Sequence, residues 1–210
     1  KVGCTTKKLS LLEAGDSIAH ILGPLGHPTE IKKLGEVYCI GGGVGIAEVY
    51  PVSRAFKEAG NRVTGIIGAR SKENLILEKE MLEVSDELFV TTDDGSYARK
   101  GFVTDVLKEL FTAIEKSTHT KFPALVYAIG PVAMMKAVAN FTRTFSVKTV
   151  ISVNPIMVDA TGMCGACRCT VGGKTVFGCV DGPDFDGHSI DFDELQKRLK
   201  FFENEEKRSS

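Results

Sequence analysis

Short apolar runs alternate along this chain with segments whose apolar positions recur every three or four residues. Residues 37–40, 63–67, 87–91, 124–129 and 149–153 are β-branched or continuously apolar, the pattern of strands buried on both faces. Between them, residues 46–59, 103–114 and 132–144 carry helical periodicity. The first of these ends at Gly60-Asn61, a good C-terminal stop, and Pro131 stands where a first helical turn accepts it. Strands separated by helices predict an α/β fold with a five-stranded, doubly wound parallel sheet, because parallel neighbours need crossover connections. A further helical pattern over 193–201 precedes a charged tail, and no internal repeat interrupts the chain.

Composition changes this picture little. A chain of 210 residues, 43% hydrophobic and 25% charged, is ordinary for a globular protein with a sizeable core. A formal net charge of -1 gives no electrostatic footprint for nucleic acid or an anionic membrane, so neither is expected as a partner. No apolar run approaches the ~20 residues of a membrane span, the first residues do not read as a signal peptide, and a cytoplasmic setting is expected. The chain starts at Lys1 rather than Met, the mark of a processed form or a piece of a longer chain. Asn140-Phe141-Thr142 fits a glycosylation sequon but lies within a helical pattern and reads as chance.

Ligands of open α/β sheets bind at the carboxyl ends of the strands. Directly after the first strand comes Gly41-Gly42-Gly43-Val44-Gly45-Ile46, opening a helix, where backbone N–H groups can approach a pyrophosphate. The usual G-x-G-x-x-G spacing fails here, because its third glycine falls on Ile46 or Glu48. Gly130-Pro131 follows the fourth strand at the same edge, with Met134 just inside the next helix. Arg70 follows the second strand, where dinucleotide folds discriminate the adenosine ribose, and no acidic residue stands there. Arg70 could meet a 2′-phosphate or stack on adenine, which leaves NAD(H) and NADP(H) both open. Asp93 is a further candidate contact or a solvated turn. No general base is required by any of this, so His188 reads as structural.

The cysteines are unevenly spread. Cys4 and Cys39 stand alone, while Cys164, Cys167, Cys169 and Cys179 fall in one Gly-rich stretch, a distribution that suits metal binding rather than a disulfide framework. Cys169 begins an alternating segment that turns at Gly172-Gly173, which reads as a compact hairpin. A structural zinc could take all four thiols. A plant-type [2Fe–2S] site takes C-x4-C-x2-C and a distant cysteine, and here Asp159-x4-Cys164-x2-Cys167-x11-Cys179 keeps that spacing with a carboxylate in the first slot. Spacing thus favours Asp159 over Cys169 as the fourth ligand, although thiolate is the commoner donor and periodicity does not exclude Cys169.

Taken together, these motifs carry a resemblance. With Gly3-Cys4-Thr5-Thr6, Gly23-Pro24-Leu25-Gly26, Thr92-Asp93-Asp94-Gly95-Ser96 and Asp181-Gly182-Pro183-Asp184-Phe185-Asp186-Gly187-His188, the chain resembles the small subunit of the NADH-dependent reduced ferredoxin:NADP+ oxidoreductase and sulfide dehydrogenase family. More distantly it is similar to dihydroorotate dehydrogenase electron-transfer subunits and sulfhydrogenase flavin subunits. The resemblance implies an electron-transfer oxidoreductase subunit with FAD, NAD(H) in preference to NADP(H), and a [2Fe–2S] cluster on three cysteines and one aspartate. It implies a larger flavin and iron–sulfur partner subunit and ferredoxin as redox partner. Gly3, Thr5 and Thr6 resemble the barrel segment that touches the FAD pyrophosphate.

The implied organisation is a remnant of an FAD-binding β-barrel over 1–33, an NAD(P)-binding domain over 34–153, a cluster module over 154–190, and a C-terminal helix and tail over 191–210. Two departures stand out: most of the barrel is missing ahead of Lys1, and Ile129 replaces a cysteine common before Gly-Pro in flavin reductases. The chain alone is therefore expected neither to retain FAD nor to turn over. The competing reading is a non-catalytic nucleotide-binding module with a structural zinc.

Overall fold

The computed structural model describes residues 4–117 and 121–202. A short helix, α1 (Cys4–Leu9), is followed by residues 10–35 without regular structure. The α/β unit then runs β1 (Glu36–Gly42), α2 (Gly45–Glu58), β2 (Arg62–Ala69), α3 (Glu78–Val84), β3 (Glu87–Thr92), β4 (Arg99–Lys100), α4 (Val103–Glu115), β5 (Leu125–Ile129), α5 (Val132–Thr144) and β6 (Thr149–Ser152). A hairpin of β7 (Arg168–Val171) and β8 (Lys174–Phe177) follows, then β9 (Asp184–Asp186) and α6 (Phe192–Leu199).

One sheet orders its seven strands β4-β3-β2-β1-β5-β6-β9. All its pairs are parallel except the last, in which β9 runs antiparallel to β6 with Ser152 opposite Asp184 and Val150 opposite Asp186. The doubly wound α/β sheet expected from the sequence is present, and its five expected strands are β1, β2, β3, β5 and β6. The two extra edge strands escaped periodicity for a physical reason. They are two and three residues long, and Asp184-Phe185-Asp186 has no apolar run to announce it. Before β1 the described residues hold no strand, and Leu11, Ile21 and Leu22 along that stretch are exposed.

The two faces follow the strand period of two. β1 sends Val37 and Cys39 into a core shared with Ile46, Val49 and Phe56 of α2 and Met81 of α3. Its alternate residues, Tyr38 and Ile40, join Val106, Leu107 and Phe111 of α4 and Met135 and Val138 of α5 on the opposite face. Phe111 anchors that side, with ring centroids 5.1, 5.3 and 5.0 Å from Phe122, Phe141 and Phe145. Each such fully buried large side chain contributes roughly 1.5–3 kcal/mol of transfer free energy. The same core continues into the C-terminal hairpin and α6 through Cys169, Ile190, Phe192 and Leu195, so apolar packing does not stop at residue 153. Among the described residues no helix is long and apolar enough to cross a membrane.

Candidate functional site

Between β1 and β5 the strand order reverses, and connections leave the sheet in opposite directions, α2 to one face and α5 to the other. That divergence opens a crevice at the carboxyl edge. The loop after β1 is stitched to β2 by Gly43 N–H donating to Gly68 O at 2.8 Å. Three of its neighbours have no room for a side chain. A Cβ on Gly42 would lie 2.5 Å from Met134 Sδ, and one on Gly130 would lie 2.8 Å from Met134 Cε and 3.1 Å from Gly42 Cα. A Cβ on Gly45 would meet the Ile129 carbonyl oxygen at 2.6 Å. Gly45 thus performs the close helix–strand packing that the third glycine of the usual fingerprint performs, which accounts for the departure in spacing.

Ile46 is buried in the core, whereas Val44 at the start of α2 is 78% exposed, and α2 begins without a side-chain cap. Pro131 is exposed and Met134 half-buried between the two glycine loops. Arg70 is exposed at the end of β2, and its carbonyl accepts from Asp94 N–H at 3.1 Å while Asp93 N–H donates to Ala69 O at 3.0 Å. Arg70 and the exposed Asp93 therefore share one edge. Thr5 and Thr6 lie exposed in α1, and Gly3 lies outside the described residues.

The cysteine-rich segment leaves β6 at the same edge, where Asn154 Nδ2 donates to Gly130 O at 3.4 Å. Cys167 and Cys179 bring their sulfurs to 3.2 Å, both buried, while Cys164 is exposed with its sulfur accepting from Ala166 N–H at 3.4 Å. Burial, reinforced by the neighbouring Cys167, raises the Cys179 thiol above its ordinary range. Asp159 folds the loop around itself: Oδ1 accepts from Thr161 N–H at 2.8 Å and Oδ2 from Cys164 N–H at 2.7 Å. Those backbone donors, Thr161 first, hold its carboxyl below the usual range.

Cys169 is fully buried, facing the apolar core rather than the loop, and burial pushes its thiol up to about 11. Among the described residues, no three His, Cys, Asp or Glu side chains gather closely enough to hold a metal ion. The donor set nonetheless suits an iron–sulfur cluster. Three thiols and a low-pKa carboxylate lie along one loop and its hairpin, beside two cations. Arg198 donates to Ala166 O at 3.1 Å and keeps a buried Nε with no hydrogen-bond partner, and Arg168 donates to Gly165 O at 3.4 Å. Guanidinium groups there would offset the negative charge of thiolates once a cluster is bound.

Sequence reasoning passed over Asn154 and Arg198 as contributors to this edge. Only the neighbouring 181–188 motif carried a signal, and it named no partner.

The arrangement defines a class: an NAD-binding oxidoreductase domain of the ferredoxin-reductase type joined to an iron–sulfur module. Residues 39–140 match the oxidoreductase NAD-binding domain, and residues 154–191 match the iron–sulfur cluster binding domain of dihydroorotate dehydrogenase B. The chain belongs to the family of dihydroorotate dehydrogenase B electron transfer subunits and their ferredoxin–NADP oxidoreductase relatives. It is 51% identical over 206 residues to the electron transfer subunit homolog of Thermotoga maritima, covering 98% of this chain and 70% of that protein. It is 36% identical to the Listeria innocua electron transfer subunit, covering 87% of this chain and 69% of that one.

Among solved structures, the NADH-dependent reduced ferredoxin–NADP oxidoreductase, studied for flavin-based electron bifurcation, aligns with a TM-score of 0.88 at 50% identity, over all of this chain and 73% of that one. The cytochrome b5 reductase domain of Ulva prolifera nitrate reductase, at 19% identity and a TM-score of 0.54, shares the fold alone. The protein is an electron-transfer subunit of an oxidoreductase, and as such it works within a larger complex.

Proposed function

We propose that this chain carries electrons between NAD(H) and a redox partner, ferredoxin or the larger flavin and iron–sulfur subunit, through FAD and a [2Fe–2S] cluster. Bound FAD would supply the exchange between a two-electron hydride and single electrons, and a bound [2Fe–2S] cluster would supply one-electron transfer. The chain's own residues bind, orient and shield. Gly42, Gly43, Val44, Gly45 and Ile46 with Gly130, Pro131 and Met134 form the dinucleotide cradle, and Arg70 and Asp93 meet the adenosine end. Asp159, Cys164, Cys167 and Cys179 hold the cluster, and Cys169 packs the hairpin. Gly3, Thr5 and Thr6 contribute to the FAD site of the full-length protein. The free thiols at Cys39, Cys164, Cys167, Cys169 and Cys179 suit a reducing cytoplasm.

The observation that carries the reading is the adjacency of the two loops. Asn154 bonds the Gly130 turn as the chain enters the cysteine segment, which supports placing the proposed nucleotide and cluster sites at one carboxyl edge. Anaerobic purification followed by iron and labile-sulfide analysis tests it. Two iron and two sulfide per chain are expected, with Cys169→Ser retaining the reddish-brown spectrum and Asp159→Ala losing or shifting it. Stoichiometric zinc without sulfide would reject the cluster. Titration with NADH and NADPH should favour NADH; selective loss of NADPH binding in Arg70→Ala would reverse the nucleotide assignment.

A further inference from the structure

Two stretches singled out in the sequence, Gly23-Pro24-Leu25-Gly26 and 181–188, hold neither nucleotide nor cluster ligands in this reading. The fold brings them together. Gly26 sits at φ +68°, and a Cβ there would lie 2.3 Å from Gly182 O and 3.5 Å from Cys179 O. The segment that precedes the nucleotide sheet therefore lies directly against the backbone carbonyl of a cysteine assigned to the cluster. His27 N–H donates to Gly182 O at 2.7 Å, two residues before Thr29 donates its hydroxyl to Asp184 Oδ2 at 2.6 Å. The other oxygen of Asp184 accepts from the Tyr127 hydroxyl on β5 at 3.0 Å. Pro183 O accepts from Val153 N–H at 2.9 Å, and Asp184 stands opposite Ser152 at the end of β6.

One carboxylate thus joins three parts of the chain: the segment ahead of β1, the nucleotide sheet and the strand that closes the cluster module. Its two oxygens match the two hydroxyl donors one to one, and Tyr127 is buried, so losing Asp184 strips a charged acceptor from a phenol that otherwise faces the hydroxyls of Ser152 and Thr29. Thr29, by contrast, is only half-buried, which makes its hydroxyl the removable arm of the junction.

We propose that Asp184, with Thr29, Tyr127 and the Gly26–Gly182 contact, is a clasp that fixes the cluster loop relative to the segment leading from the flavin side, making Asp184 a positioning residue for electron transfer. The inference rests on the electron-transfer reading above. Its logic is distance: a group held in register by bonds from three segments loses that register when the shared acceptor goes, and electron transfer between two cofactors slows as their separation grows.

The experiment uses the full-length protein assembled with its partner subunit. The bleaching of the cluster after rapid mixing with NADH, the electron paramagnetic resonance signal of the reduced cluster, and amide hydrogen exchange over residues 26–29 are all measured. Asp184→Ala should slow bleaching relative to the unaltered protein. It should leave the resonance signal and the NADH concentration for half-saturation unchanged, and speed exchange at the His27 amide. Thr29→Val, which removes one arm at a half-buried site, should move rate and exchange in the same direction. Thr29→Ser, which keeps the hydroxyl, should match the unaltered protein. Unchanged bleaching and exchange in both Asp184→Ala and Thr29→Val would overturn the clasp, and an altered resonance signal would make Asp184 part of the cluster's own surroundings instead. If the unaltered protein's cluster does not bleach with NADH, the electron-transfer reading falls. The exchange data then decide the clasp alone, and protection unchanged at 26–29 rejects it.

Discussion

Gly42 and Gly45 stand three residues apart, yet alanine should harm them in different ways. At Gly45 the obstacle is the Ile129 backbone oxygen at 2.6 Å, which cannot move without disturbing β5. Gly45→Ala is expected to lower unfolding free energy by about 1–3 kcal/mol, the usual cost of overpacking, seen as a lower denaturant midpoint. At Gly42 the nearest obstacle is the flexible Met134 side chain, its sulfur at 2.5 Å, with the Pro131 ring behind it at 3.0 Å. Gly42→Ala should therefore cost less stability than Gly45→Ala but weaken nucleotide binding by displacing Met134 into the crevice, and Met134→Ala in the same chain should restore affinity. Unaltered NADH affinity in Gly42→Ala would show that Met134 does not border the bound nucleotide.

Cys39 makes a different kind of contribution. Burial raises its thiol from 9.0 to about 12, with a Ser53 hydrogen bond opposing the shift. An acid whose folded value is raised leaves stability intact below its unfolded value; stability is lost as pH climbs from there toward the folded value. Unfolding free energy should thus fall by about 1.4 kcal/mol per pH unit for this one group between about pH 9 and 12, with no effect at neutrality. Cys39→Ala should remove that share of the alkaline slope in denaturant melts across this range. In the sequence Cys39 was an isolated cysteine in an apolar run, and its place in the core was legible from strand period alone. The task of Asp184 was not, because the residues it bonds lie 155 and 57 positions away.

Among the elements, those with their own periodicity were legible and those defined by their partners were not. The amphipathic helices α2, α4 and α5 match their expected spans closely, even though Pro51 lies inside α2. β4 and β9 exist only because β3 and β6 offer open edges to pair with. α6 falls between these cases: the pattern suggested 193–201, and the helix runs Phe192–Leu199 because Asp191 caps it, accepting from Glu194 N–H at 2.9 Å. Asp191→Ala should cost about 1 kcal/mol, the typical price of a lost N-cap. Because α6 buries Leu195 in the core that holds Cys169 and carries Arg198 to the cluster loop, the loss should also hasten alkylation of Cys169 by iodoacetamide. Labelling kinetics read by mass spectrometry check this, and unchanged labelling would mean that α6 does not shield the thiol.

For the molecule as a whole, the shared core decides how it comes apart. Residues from β1, α4, α5, the hairpin and α6 form one apolar cluster that spans the nucleotide half and the cysteine-rich half. A chain built this way should unfold in one cooperative step. Far-ultraviolet circular dichroism and the visible absorbance of the loaded protein are expected to be lost at the same temperature. Two separated transitions would show that the halves are energetically independent. The NAD-binding and iron–sulfur motifs were legible in the sequence because they fall in two separate stretches. The continuity of packing between them was not, since it depends on which faces meet.

The antiparallel pairing of β9 with β6 carries a lesson for anyone wishing to borrow the iron–sulfur portion. It is not a cassette. Its last strand is the rim of the host's sheet, and Asp184 answers to a tyrosine on the host and a threonine far upstream. A graft onto another reductase would have to carry over the complementary rim, the tyrosine and the threonine, or the transplanted loop would arrive without the surface that aims it.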